Sequence, residues 1–247
     1  TGSRNLGKQV AEIYQKLAVK CQSGWAEMVE EQNRLIAEYK QMGRKNELKE
    51  VIRNLHNSFK MRKPTIPAEL SYLEGGFRED YLHDMRLCQW WAVINRKLIV
   101  DLLLDFLIEG GYADVTNESF ESVHNYIGDD NIIRKGAISA RKDEKCIIPM
   151  NMRDGSLICI GKGNEDWNYS APHGAGRVMS RSQAFKLISM DDFEQSMNGI
   201  YSETITEATK DESPMVYKPM DEIIDNIADT VDVVNIIKPI FNFKAAE

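Results

Sequence analysis

Apolar residues in the first half of the chain recur every three or four positions. Three runs follow this repeat, covering residues 6–17, 25–39 and 48–59. Such spacing places the apolar side chains on one face of a helix. Two prolines then fall close together, Pro64 and Pro67, and favour an extended connector. A longer helical pattern follows over about 79–108, and Gly110-Gly111 provides a stop signal. The first half is therefore predicted to be helical.

The pattern changes in the middle of the chain. Short apolar runs at 132–133, 146–148 and 157–160 are bounded by Gly, Pro, Asn and Asp, which is typical of strands. Helices are predicted near 182–185 and 190–192, and another with Pro219 at its first position. The β-branched and aromatic tail, 231–243, predicts a strand interrupted at Pro239. Helices cluster first and strands later, so the expected class is α+β, with helices packed against mixed β-sheets.

Composition limits the cellular setting and the partners. The 247 residues carry a net charge of −7, so any nucleic-acid contact must be a local patch of positive charge. The longest apolar stretch, 98–108, is interrupted by Asp101 and Asp105 and is too short to span a membrane. The four cysteines form no Cys-x-x-Cys pair, which favours reduced thiols, with a disulfide framework as the alternative. No signal peptide is recognisable, so the expected location is cytoplasmic, without a membrane partner.

The residues best suited to chemistry lie at 170–181. His173 is followed by Gly174, Ala175 and Gly176, small residues that let a ligand approach the backbone closely. Arg177 and Arg181 come next, and guanidinium groups hold phosphate oxygens well. A neutral imidazole in this setting can attack a phosphoryl group. A histidine that caps a turn explains the same pattern, so both interpretations stay open at this point.

The string His-Gly-Ala-Gly-Arg, followed by Met-Ser-Arg, resembles the signature of the RtcB-type RNA-splicing ligases. Further blocks resemble that family in the same order, and they lie at 1–7, 80–96, 123–125, 134–137 and 217–218. The resemblance implies an RtcB-like fold in which residues 1–247 form the C-terminal portion of a single catalytic domain. The N-terminal metal-binding half of that domain is then absent, and residues 23–63 form a helical excursion.

The resemblance also implies an activity. It is that of a GTP- and Mn²⁺-dependent ligase, with two Mn²⁺ ions in the full-length protein and GTP as co-substrate. Such an enzyme joins RNA 3′-phosphate or 2′,3′-cyclic phosphate ends to 5′-hydroxyl ends through a GMP–histidine intermediate, in RNA repair or tRNA splicing. The expected partners are RNA and GTP or GMP, and the role of an accessory activating protein stays open. The alternatives are a non-catalytic RNA- or guanine-nucleotide-binding homologue and a phosphoryl-transfer enzyme that acts on another substrate.

Residue roles follow from the resemblance position by position. His173 would carry GMP and Arg177 would hold phosphate, whereas His124 resembles a manganese ligand of the family. Asn125 resembles a residue that touches the guanylyl group, and Lys244 resembles the near-terminal lysine that reaches guanine. The remaining expected nucleotide contacts are Pro149, Met150, Asn151, Met152, Ser156, Gly174, Ala175 and Gly176. Taken alone, His124 and Asn125 also suit a polar pair at a strand edge, and Lys244 suits a solvated tail lysine.

Two further features qualify the resemblance. Where the family has Pro-Gly-Ser-Met-Gly, this chain has Pro-Met-Asn-Met-Arg at 149–153, so positive φ angles are less accessible and the loop path or nucleotide choice is expected to differ. The family ends in Lys-Gly, whereas Lys244 is followed here by Ala-Ala-Glu. The basic run that begins with Arg134 and Lys135 is the candidate RNA path, and an ordinary solvated face is the alternative.

Overall fold

The computed structural model describes residues 3–112, 119–242 and 244, with the main chain alone at residues 3 and 4. Residues 1 and 2 of the first family-like block, and residues 243 and 245–247 of the tail, lie outside this description. The chain forms two compact units, Thr1–Val115 and Thr116–Glu247. The first is helical and the second contains all the described strands, so the predicted α+β class is confirmed.

The described part of the first unit contains four α-helices, α1 to α4, joined by turns, by two 3₁₀ segments and by a longer connector between α3 and α4. Their bounds are Ser3–Gln22, Trp25–Gln41, Leu48–Ser58 and Gly75–Glu109. Between α1 and α4, the rings of Tyr14 and Tyr81 meet edge to face at 5.2 Å. The Tyr14 hydroxyl also donates a hydrogen bond of 2.8 Å to Asp84. Residues 59–67 form neither helix nor strand and bend at residues 65–66, so the helical pattern is interrupted where the two prolines predict, and α4 ends at Gly110, as predicted. No helix in the described parts of the chain is long and apolar enough to cross a membrane.

In the second unit, here called the strand-rich unit, the described residues form nine short strands, β1 to β9, and three α-helices, α5 to α7. The strands are Tyr126–Ile127, Ile133–Arg134, Ala137–Ser139, Lys145–Pro149, Ser156–Gly161, Ser170–Pro172, Tyr201–Ser202, Val231–Ile237 and Phe241–Asn242. The helices are Arg181–Leu187, Met190–Ser196 and Met220–Ile227. Pro219 precedes α7 as its N-cap and does not occupy the first helical position, a shift of one residue from the prediction.

The strand pairs position the segments that carry the candidate chemistry. β4, β5 and β8 form an antiparallel sheet in the order β4-β5-β8, with Ile148 opposite Leu157. β3 and β6 pair antiparallel, with Ile138 opposite Ala171, and β7 and β9 pair in parallel. Strands β1, β3, β6 and β7 were not predicted, because runs of two or three residues are too short to show an alternation of apolar and polar positions.

Two hydrophobic clusters support this unit. The first cluster gathers side chains of the β4-β5-β8 sheet, of β3 and β6, and of α7, among them the fully buried Ile148 and Leu157. The second is built around Phe193, with Met152, Ala184, Ile188, Met197 and Val216. Tyr217 packs against both clusters. The segments that connect β4 to β5 and β6 to α5 are therefore anchored on close-packed interiors.

Candidate active site

His173 directly follows strand β6, and its ring is oriented by one main-chain contact. Its Nδ1 lies 2.7 Å from the carbonyl oxygen of Gly136. Since a carbonyl oxygen only accepts hydrogen bonds, Nδ1 carries the proton, and in the neutral ring Nε2 then holds the lone pair. The side chain is otherwise exposed. The turn that follows β6 therefore presents an imidazole whose outer nitrogen is suited to nucleophilic attack.

The Gly136 carbonyl is itself held in place by Asn125. The Asn125 side-chain oxygen accepts a hydrogen bond of 2.7 Å from the Gly136 N–H. Both residues adopt positive φ, 58° for Asn125 and +67° for Gly136, a region that asparagine and glycine enter most easily. Asn125 thus orients His173 through Gly136. Because its oxygen is engaged within the protein, the Asn125 amide N–H₂ is the group suited to touch a ligand.

His124 stacks on His173, with the ring centroids 4.9 Å apart and the planes 22° from parallel. Burial lowers the pKa of His124, and the neighbouring His173 and Lys135 lower it further. His124 is therefore neutral at neutral pH, the form in which an imidazole binds metal. Among the described residues, no three or more His, Cys, Asp or Glu side chains are grouped so that they could hold a metal ion. One histidine does not make a manganese site, so the described residues do not fit this metal by themselves.

A cavity of about 590 Å³ lies beside His173. This volume is typical of sites for small organic ligands. Its lining joins the turn after β6, the β4–β5 connection, the segment around Glu212 and Tyr217, and the tail. The lining residues are Pro149, Met150, Asn151, Met152, Gly155, Ser156, His173, Gly174, Ala175, Gly176, Arg177, Glu212, Tyr217, Pro239, Asn242 and Lys244. Of the residues expected to contact the nucleotide, Asn125 alone is not part of this lining.

The β4–β5 connection forms one wall of the cavity and accommodates its large residues without strain. The side chains of Met150 and Met152 are buried, at 3% and 2% exposure, each in one of the two hydrophobic clusters. The main chain is therefore the part of these two residues that is available to a ligand. Asn151 stabilises the turn, because its side-chain oxygen accepts hydrogen bonds from the N–H groups of Arg153 and Asp154, at 3.0 and 2.9 Å.

The backbone of this loop agrees with the residues that occupy it. None of residues 149–153, all of them described, has a positive φ, whereas Gly155 has a φ of +87°. A Cβ atom at Gly155 would overlap the Ile237 carbonyl on the neighbouring strand β8. The positive φ of this connection therefore falls on Gly155, which leaves the two methionines free to fill the core.

The Arg177 guanidinium is fixed at the edge of the cavity. It donates to the main-chain oxygens of Met179 and Asp211 and lies 5.3 Å from the centre of the Tyr217 ring. The carboxylates of Asp211 and Glu212 lie 3.9 and 3.8 Å away. Arg177 is thus a half-buried cation held by several partners, an arrangement suited to an anionic ligand.

Glu212 was not identified from the sequence, yet it is central to the cavity wall. Its carboxylate accepts hydrogen bonds from Tyr217, at 3.0 Å, and from the Lys244 ammonium, at 3.1 Å. Burial acts to raise its pKa, but Lys244, Tyr217 and Arg177 outweigh burial and lower it. The available signal was a pair of acidic residues shortly before the family-like Tyr217-Lys218 block. It was weak, because the cations that give Glu212 its role are distant in sequence.

The prediction for Arg134 requires correction. This side chain is 2% exposed, and its guanidinium donates to the Ser170 hydroxyl, the Tyr126 hydroxyl and the Tyr169 carbonyl. A guanidinium enclosed in this way stabilises the packing of β2 against the β6 segment and is not accessible to RNA. Its neighbour Lys135 is exposed. The two residues differ because Arg134 is the last residue of β2 and its side chain is enclosed, whereas Lys135 lies outside the strand, in the bend that leads to Gly136.

A family model described as "tRNA-splicing ligase RtcB" matches residues 1–245, and the chain therefore belongs to this family. Two relatives from Escherichia coli, named "RNA-splicing ligase RtcB" in strain K12 and "RNA-splicing ligase RtcB1" in strain ATCC 25922, are each 32% identical over 192 residues. Each match covers 71% of this chain and 47% of the relative. A "tRNA-splicing ligase RtcB" from Aeropyrum pernix is 40% identical over 82 residues, 31% of this chain and 17% of the relative. The chain thus spans about half the length of the Escherichia coli relatives that it matches.

Proposed function

We propose that this chain provides the nucleotide-transfer site of an RNA ligase that uses GTP and Mn²⁺. The proposed reaction joins an RNA 3′-phosphate or 2′,3′-cyclic phosphate to a 5′-hydroxyl, as required in RNA repair or tRNA splicing. The single observation that carries the proposal is His173, which lines a nucleotide-sized cavity and donates from Nδ1 to Gly136, at 2.7 Å. The names of the relatives support the same class of reaction.

In the proposed first step, the His173 Nε2 lone pair attacks the α-phosphorus of GTP. A P–N bond forms, the bond between the α-phosphorus and its bridging oxygen breaks, and pyrophosphate leaves. The ring gains positive charge as the P–N bond forms, and the Gly136 carbonyl, which accepts the hydrogen bond from Nδ1–H, stabilises that charge. Arg177 is placed to neutralise phosphate oxygens. An oxygen of the RNA 3′-phosphate then attacks the same phosphorus, the P–N bond breaks, His173 is released and GMP is joined to the RNA end. The 5′-hydroxyl attacks the RNA 3′-phosphate, which forms the phosphodiester and releases GMP. A 2′,3′-cyclic phosphate end is first opened by water to the 3′-phosphate.

Metal and RNA enter the proposal through single residues of this chain. Neutral His124 would bind one Mn²⁺ ion, whose chemical contribution would be to withdraw charge from phosphate oxygens. The other ligands would have to come from outside the described residues, and no step above depends on them. Exposed Lys135 adjoins Gly136 and is the proposed contact for the RNA phosphate backbone.

The test is covalent labelling of the complete protein with α-³²P-GTP and Mn²⁺. We expect an acid-labile label on the wild type and at least about a hundredfold less on His173→Ala, since no other group would replace the nucleophile. His83→Ala is the matched control, because His83 is an exposed histidine of the helical unit and should leave labelling unchanged. Absence of label on the wild type, or label that persists in His173→Ala, would rule the proposal out.

One observation favours a second candidate, a guanine-nucleotide-binding homologue without ligase activity. The described residues do not group enough side chains to hold a metal ion. This candidate predicts that GMP binds to the wild type and that no covalent adduct forms at any Mn²⁺ concentration. The labelling experiment, repeated with equilibrium binding of GMP, therefore separates the two functions.

A further inference from the structure

Glu212 lies where three otherwise independent parts of the cavity wall meet. It is the last residue of the 3₁₀ helix Glu207–Glu212, and its side chain is 22% exposed. Its carboxylate accepts from Tyr217 Oη at 3.0 Å and from Lys244 Nζ at 3.1 Å, and lies 3.8 Å from Arg177 Nη1. All four of these residues line the same cavity. One carboxylate thus connects a tyrosine and two cations that face the ligand space.

Lys244 depends on this contact more than the other two partners do. Arg177 has further acceptors at Met179 and Asp211, and Tyr217 packs against both hydrophobic clusters. The Lys244 main chain is held by its N–H, which donates 3.1 Å to the Thr204 hydroxyl. For the ammonium group, the contact that the structure describes is the one with Glu212. A lysine side chain has a large rotamer entropy, which a partially buried carboxylate reduces before any ligand binds.

We propose that Glu212 is a positioning residue that holds Lys244 and Tyr217 in the orientation required by the nucleotide. It sets nucleotide affinity through these two side chains and does not take part in the transfer step. The inference rests on the proposed function in one respect, namely that the ligand of this cavity is a guanine nucleotide. Glu212 remains ionised at neutral pH, so it acts as an acceptor for both donors at once.

A purely architectural role for Glu212 makes different predictions. If Glu212 only stabilised the fold, its replacement would lower the melting temperature and leave the affinity of the folded protein unchanged. If Glu212 acts through Lys244, then removing either residue weakens nucleotide binding. Removing both then weakens it by less than the product of the single effects, because the two changes break one shared contact.

The experiment measures the Kd of a fluorescent GTP analogue in the complete protein with Mn²⁺. All variants carry His173→Ala, so that no covalent adduct accumulates during the titration. Glu212→Gln and Lys244→Met are compared singly and together. We expect each single change to raise Kd about tenfold, the size of a lost charged hydrogen bond, and the double change to raise it far less than about a hundredfold. Glu207→Gln is the matched control: an exposed acidic residue of the same 3₁₀ helix that is not part of the cavity lining.

A second measurement separates positioning from chemistry. With His173 intact, the labelling rate at saturating GTP should stay within about twofold of the wild type in Glu212→Gln, because positioning for binding changes affinity and not the transfer step. Lys244→Met is the variant to rely on if Glu212→Gln folds poorly, since Lys244 is a half-exposed tail residue. Tyr217→Phe removes the second donor while retaining the ring over Arg177, and should also raise Kd.

The outcomes distinguish this inference from the proposed function. An unchanged Kd in Glu212→Gln, or single effects that multiply fully in the double variant, overturns the positioning role even if the wild type is labelled by GTP. Coupled rises in Kd, with no covalent label on the wild type, support positioning and overturn the proposed ligase. If the protein carrying only His173→Ala does not bind the nucleotide at all, the positioning role is overturned, whereas labelling of the wild type still decides the ligase proposal.

Discussion

The helical unit and the strand-rich unit differ in how far their large apolar side chains are buried. Along α4, large side chains remain exposed, with Trp90 at 64%, Leu102 at 61% and Phe106 at 67%. In the strand-rich unit, Phe193, Leu157 and Val216 are each at 0%. Most of the free energy of burial therefore belongs to the strand-rich unit, because the hydrophobic contribution follows the apolar area removed from water.

This contrast explains where the candidate chemistry lies. Met150 and Met152 connect the cavity wall to two different clusters, and Tyr217 packs against both. Side chains that must hold a ligand within fractions of an ångström need support of this kind. Helices α2, α3 and α4 contain no buried residue in the described part of the chain, so they offer no comparable support within their own unit.

The largest expected effect compares one phenylalanine from each unit. Phe193→Ala should cost about 3–5 kcal/mol of unfolding free energy, since it leaves a cavity in a closed cluster. Phe106→Ala should change it by less than about 0.5 kcal/mol, because that ring is already largely in water. Both changes in unfolding free energy can be measured by urea denaturation, with the unfolding of each unit followed by hydrogen exchange of its peptides. Equal costs at the two positions would show that α4 is buried in solution, and the contrast between the units would then fail.

The second comparison concerns glycines with positive φ. Gly155→Ala should destabilise the strand-rich unit by about 3 kcal/mol, because the added Cβ meets the Ile237 carbonyl as well as an unfavourable φ. Gly43, at the end of α2, has a φ of +72° and nothing within 4 Å of an added Cβ. Gly43→Ala should therefore lower the free energy of unfolding by about 1 kcal/mol, the cost of an alanine at positive φ alone. Thermal denaturation of the two variants measures the difference in stability. An equal destabilisation of both would show that the close approach of the Ile237 carbonyl to Gly155 adds nothing to the cost of the positive φ.

The same contrast governs what could be predicted from the sequence. The helices of the first unit were predicted within a few residues of their bounds, since each depends on a local repeat and on Gly or Pro signals. The pairing of β3 with β6 was not predicted, although it brings Gly136 to His173, 37 residues away. His173 could be identified from its glycine-rich turn and the arginines that follow, and Lys244 from the family resemblance. Glu212 and the burial of Arg134, in contrast, arise from contacts distant in sequence. Local sequence patterns therefore predict single helices and strands, whereas the candidate site depends on how these elements pack together.

The smallest expected effect compares two tyrosines that hydrogen-bond to carboxylates, Tyr14 and Tyr217. Burial and, after it, Glu212 together raise the pKa of Tyr217 from 10.0 to about 12. Burial and Asp84 likewise raise the pKa of Tyr14 to about 12, although Tyr14 has the more open environment. Between these values the folded state retains protons that the unfolded state has lost. Stability contributed by either tyrosine is therefore present below about pH 10 and is lost as pH rises toward 12.

Replacing each tyrosine by phenylalanine measures how much that tyrosine contributes to the pH-dependent stability. The difference in unfolding free energy between wild type and Tyr217→Phe should shrink by about 1 kcal/mol between pH 9 and pH 12, after allowance for solvent screening. Tyr14→Phe should show a smaller change over the same range, because a carboxylate open to water raises a tyrosine pKa at little energetic gain. Urea denaturation at a series of pH values provides both curves. A larger pH-dependent change at Tyr14 than at Tyr217 would mean that the helical unit holds the better-shielded pair, and the proposed difference between the units would then be reversed.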